Sequence, residues 1–208
     1  MAKDLNVGLP HVSGPRLRIA VRERWRSRLE KTIETHLSGL GIKHDLEKWL
    51  GAEHGETTIC CLNGASVLEF LHHVIRCEGH SDANAGFTAG QNGSSKYSNM
   101  SWWDNAVWLP IELKPVTLDP GDPIFVGSST ALLHELRDLQ NVSRIELGSA
   151  PGGYEEMRAD WRKFYRSIRS GFATPLTDVD CLRWIWLALR DGADLAIKEN
   201  TVLWAGPD

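Results

Sequence analysis

The sequence predicts an α+β domain, rich in helix, around a small and mostly antiparallel sheet. Apolar residues recur at helical spacing in several long segments, and short β-branched runs are bounded by Asn-Gly, Pro or Gly. Helical and strand segments do not alternate regularly, which sets the chain apart from a doubly wound parallel sheet. The 208 residues fall near the size of one domain, roughly 100–200 residues, and no repeat or linker divides them. Residues 1–14 mix Gly, Pro, Ser and Asn and are expected as a loose N-terminal arm before a single domain over 15–208.

From Pro15, the side chains Leu17, Val21, Trp25, Leu29, Ile33 and Leu37 repeat every four residues and predict a helix that Gly39 or Gly41 stops. A short helix follows over Asp45 to Leu50, with Gly51 past its end. Thr57 to Leu62 is β-branched and apolar, a strand that Asn63-Gly64 breaks. Val67, Leu68, Leu71, Val74 and Ile75 then share one helix face, with His72 near it and His73 nearer the other, and Gly79 caps the end. Residues 79–101 are dominated by Gly, Ser and Asn and predict a long mobile loop.

Val107, Leu109, Ile111 and Leu113 alternate as a strand, which Pro110 pushes to an edge or a bulge. The run 124–127 is a second strand, after which Ser128 or Ser129 caps a helix with Leu132, Leu133 and Leu136 inward. Tyr154, Met157, Trp161, Phe164, Tyr165 and Ile168 predict one amphipathic helix. Thr177 and Asp180 form a capping-box pair at the start of the last helix, which buries Val179, Leu182, Ile185, Trp186 and Leu189. Residues 201–204 return as a final strand.

Hydrophobic residues make up 42% and charged residues 24% of the chain, which excludes disordered and collagen-like classes. No run approaches the ~18 apolar residues of a membrane span, and the N-terminus lacks the apolar core of a signal peptide, so a cytoplasmic protein without membrane contact is expected. The net charge is −4, but residues 16–31 carry seven basic against two acidic side chains, leaving −9 on the remainder. Nucleic acid is disfavoured, because Trp25 belongs to the apolar stripe and does not form a stacking platform among the arginines. Cys60, Cys61, Cys77 and Cys181 show no disulfide or zinc-ribbon spacing and read as reduced thiols.

One segment has the residue types of a metal site: His72-His73 through Asp82. His73 and Cys77 are one helical turn apart and can face one cation while His80 and Asp82 close from the following loop. That set would support a metal-assisted hydrolase or transferase, in which the metal polarises an attacking water. His134-Glu135 begins a zinc-protease pattern, but Asp138 stands where the second His belongs, which leaves a solvent-facing helix as the simpler reading. No nucleophile elbow or phosphate-binding glycine loop is present, so no catalytic residue is assigned and no cofactor is expected.

Tryptophan is the outlier, with nine residues. Trp102 and Trp103 are adjacent and followed by Asp104 and Asn105. On extended chain two consecutive indoles point to opposite sides, so one anchors the core while the other faces outward as an amphipathic contact. Trp102, Trp103, Asp104 and Asn105 are therefore the expected partner-binding residues of a non-catalytic protein-binding module. The acidic body suits a basic protein partner, as when an immunity protein neutralises a toxic enzyme made alongside it.

Overall fold

A period-two rule along each strand sets the two faces of the central sheet in the computed structural model, which describes residues 2–7, 16–50, 57–80, 95–100, 105–118, 123–169 and 177–207. The strands are β1 (Ala2–Val7), β2 (Thr57–Asn63), β3 (Asn105–Leu109), β4 (Val116–Leu118), β5 (Ile124–Ser128) and β6 (Leu203–Pro207). They are ordered β2-β1-β6-β3-β5-β4. The helices are α1 (Arg16–Gly39), α2 (Leu46–Leu50), α3 (Gly64–Cys77), α4 (Ser129–Val142), α5 (Tyr154–Ala159), α6 (Trp161–Arg169) and α7 (Asp178–Lys198).

Leu5, Val7, Ala106, Trp108, Phe125, Leu203 and Ala205 face one side and form a single core with α3, α4 and α7. The alternate residues Val107, Leu109, Ile124, Val126 and Trp204 face the other side, against Leu29, Ile33 and Leu37 of α1 and Trp49 and Leu50 of α2. Helices cover both faces, which is why β5 is buried along its whole length and reads as a continuous apolar run. Asn6 breaks this pattern. It is 1% exposed, and neither atom of its side-chain amide has a hydrogen-bond partner among the described residues.

The α+β class is as expected; the sheet is mixed, not mostly antiparallel. β1 pairs antiparallel with β2 and β6, β6 with β3, and β4 with β5, whereas β3 and β5 run parallel. The cause is local. The chain leaves β3 at Pro110, passes beyond the position of β5 to lay down β4, and returns as β5 between them. A meander is thereby replaced by a parallel pair at β3–β5.

The start of the expected N-terminal arm is an interior strand, since β1 lies between β2 and β6. Leu5 and Val7 supply too short an alternation to stand out beside the polar Lys3, Asp4 and Asn6. The strand expected through Leu113 stops at Leu109, and β4 has no counterpart among the expected elements. The single helix expected over Tyr154 to Ile168 is two, broken at Asp160, whose φ of −155° ends α5. The Asp160 carboxylate then accepts from Lys163 N at 3.0 Å and starts α6. Both caps predicted at helix N-termini are present. Ser128 Oγ accepts from Ala131 N at 3.1 Å, and Thr177 and Asp180 form a reciprocal capping box.

Candidate functional site

α3 ends beside α4, and the residues 95–100 run across both helices towards β3. The C-terminal turn of α3 is closed by Gly79 in left-handed backbone (φ 87°), a conformation without steric cost only for glycine. Just before it, Glu78 Oε1 accepts from Ser95 Oγ at 2.7 Å and from Lys96 N at 2.8 Å. One turn further, Asp138 of α4 accepts from Tyr97 OH at 2.9 Å and from Lys96 Nζ at 3.2 Å. Those two donors hold the Asp138 carboxyl below the ordinary carboxylate range, the Tyr97 hydroxyl contributing most.

Asn99 is the pivot of this segment. Its backbone N donates to both Glu135 oxygens, at 3.0 and 2.9 Å, and its Nδ2 donates to Glu135 Oε1 at 2.8 Å. Its Oδ1 accepts from Ser128 N at 2.8 Å, and its carbonyl accepts the Trp108 indole N–H at 2.9 Å. One side chain and one peptide thus tie α4, β5 and β3 together. Gly127 makes room for the approach, because a Cβ there would lie 2.7 Å from Asn99 Oδ1. Glu135, expected on a solvent-facing helix surface, is instead enclosed by this segment. Burial pushes its carboxyl up to about 7, against the opposing effect of the Asn99 donors, and the Glu78 charge adds to the rise.

The expected metal ligands meet only in part. His73 Nε2 lies 2.9 Å from Ser143 Oγ and 3.6 Å from Cys77 Sγ. His73 is the buried histidine of the adjacent pair, 7% exposed, although the apolar pattern places His72 nearer the buried face. Burial, followed by the Arg76 charge, lowers the His73 imidazole, and burial raises the Cys77 thiol. A neutral ring beside a protonated thiol is a weak nucleophilic pair. His80 Nε2 lies 3.8 Å from Glu78 Oε2, and Asp82 lies outside the described residues. Among the described residues no group of three or more His, Cys, Asp or Glu is arranged to hold a metal ion.

Trp102, Trp103 and Asp104, the core of the expected partner-binding set, lie outside the described residues. Asn105, the fourth, opens β3 half-buried and in register with Ile124. The chain entering this stretch ends at Met100, which is fully buried, and the chain leaving it enters the core at Ala106. No known family model, curated protein or solved structure matches the chain. Among the described residues no helix is long and apolar enough to cross a membrane. Sequence reasoning missed Asn99, Tyr97 and Glu135 as partners. The separation of 36 residues between Asn99 and Glu135 leaves no local pattern, and a polar segment without apolar periodicity reads as loop whether or not it is pinned.

Proposed function

We propose that the protein is a non-catalytic protein-binding module whose contact surface is built on Trp102, Trp103, Asp104 and Asn105. The supporting observation is the frame on either side of that stretch, above all the hydrogen bonds through which Asn99 joins Glu135, Ser128 and Trp108. Fixed ends reduce the ordering entropy that a contact segment loses on binding. Two indoles and an acidic residue between such ends would supply amphipathic aromatic area together with charge suited to a basic partner. The titratable groups around the frame support the same reading, since Glu78, Glu135 and Asp138 each accept hydrogen bonds that fasten residues 95–99.

Affinity capture from native cells with the wild-type chain and with a W102A/W103A double variant tests the proposal. The expected result is a protein enriched by the wild type and lost by the variant at unchanged melting temperature. Retention of every wild-type partner by the folded double variant contradicts it. The alternative, a metal-assisted hydrolase or transferase, keeps one favourable observation, the 3.6 Å approach of His73 Nε2 to Cys77 Sγ. Stoichiometric zinc in protein purified without a tag, lost in H73A, would favour it over the binding module.

A further inference from the structure

A cleft of about 280 Å³, with none of the Asn99 partners in its lining, opens between β2, α5 and α7. Its floor is apolar, formed by Ile59, Met157 and Leu195. Its wall is a stripe of α7 in which Asp191, Asp194, Leu195 and Lys198 recur at helical spacing on one face. Asp191 is saturated. Its Oδ2 accepts from Tyr154 OH at 2.6 Å and meets Arg158 Nε at 3.3 Å, while its Oδ1 accepts from Arg190 Nε and Nη2 at 2.9 and 2.7 Å. Burial, reinforced by the Asp191 carboxylate, raises the Tyr154 phenol, so it stays a hydroxyl donor.

Arg158, whose Nη1 also lies 3.9 Å from Glu155 Oε2, remains 60% exposed at the rim, so its guanidinium stays within reach of a ligand in the cleft. Lys198 and Asp194 line the same cleft, and neither has an ion-pair partner among the described residues. The cleft therefore offers two cations for a carboxylate, one carboxylate for an ammonium group, and an apolar floor. Its volume is just below the range of roughly 300–1,000 Å³ typical of small-molecule pockets, which limits the occupant to a few heavy atoms beyond the charged groups.

We infer that this cleft is a binding site for a small zwitterion with an apolar side chain, chemically a free aliphatic α-amino acid. Arg158 and Lys198 take the carboxylate, Asp194 takes the ammonium group, and Ile59, Met157 and Leu195 take the side chain. The site is independent of the protein-binding surface proposed above and stands or falls separately.

Isothermal titration calorimetry of the full chain with L-leucine and L-methionine tests the inference, with 4-methylpentanoate and 3-methylbutylamine as probes lacking one charge each. Each amino acid should bind about tenfold or more tighter than either single-charge probe, the loss expected when one charge-assisted contact is removed. R158Q should weaken the amino acids and 4-methylpentanoate but not the amine; D194N should weaken the amino acids and the amine but not the carboxylate. Both side chains lie at the cleft rim, so circular dichroism should show both variants folded. Three results would each overturn the inference: no heat from either amino acid at about 10 mM, where even millimolar affinity registers; a single-charge probe binding as tightly as an amino acid; or variants that leave binding unchanged.

Discussion

Glu135 and Asn6 are the two residues whose environments conflict most with their chemistry, and each conflict has a measurable sign. The Glu135 carboxyl is raised from 4.5 to about 7 in the fold, so the native state holds a proton that the unfolded chain gives up at lower pH. Its contribution to stability is complete below about pH 4.5 and is lost as pH rises through 7. His73 has the opposite sign: its lowered imidazole favours the fold above the ordinary histidine range and is lost as pH falls. The comparison of wild type with Glu135→Gln isolates the carboxyl. Denaturant unfolding between pH 5 and 8 should show the wild type losing on the order of 2–3 kcal/mol relative to the variant, because each tenfold difference in proton affinity between the folded and unfolded chain is worth about 1.4 kcal/mol. Parallel stability profiles would show that Glu135 is not strained. Asn6 buries an amide without partners among the described residues, an arrangement that costs about 1–3 kcal/mol. Asn6→Val should therefore raise unfolding free energy by about 1 kcal/mol or more, and a decrease would mean that the amide is satisfied.

The residues 95–100 show how one element is held without regular secondary structure of its own beyond the short 3₁₀ turn Ser98–Met100. Asn99→Ala removes the amide that serves Glu135 and Ser128 and leaves the Ser128 N–H buried without its acceptor. Chemical denaturation should show a loss of about 2–4 kcal/mol, the scale for breaking a buried hydrogen-bond network. A loss under about 0.5 kcal/mol, the range of ordinary surface substitutions, would mean that the pivot is dispensable. The helices are legible in the sequence because each writes its apolar stripe in neighbouring residues: α3, α4 and the Leu29, Ile33 and Leu37 positions of α1 follow it, while α7 departs at Val179, expected inward but 38% exposed in the first turn. The break at Asp160 is not legible, since the stripe from Tyr154 to Ile168 continues in phase across it and only the backbone at one residue departs. The pivot is invisible for a different reason, because its partners lie on α4, β5 and β3 and meet only after the sheet has formed.

For the whole molecule, the sheet order joins the two ends of the chain. β1 and β6 pair in its interior, so the strand order depends on the first described residues as much as on the last. Removing residues 1–7 deletes the strand between β2 and β6 and takes Leu5 and Val7 out of the core. Circular dichroism should then show no cooperative melting transition, while a transition within a few degrees of wild type would place β1 outside the cooperative unit. The class of fold is readable from periodicity, whereas strand order is not, because pairing between distant strands leaves no trace in local spacing.

The frame that carries the Trp102–Asn105 stretch rests on this sheet through β3, and the central claim is that a partner protein docks there. Amide hydrogen exchange of the complex with its captured partner measures this directly. The account predicts slowed exchange in the peptide containing residues 101–105 on binding, with little change along the outer face of α1. Slowed exchange confined to other elements, with residues 101–105 unchanged, would contradict it.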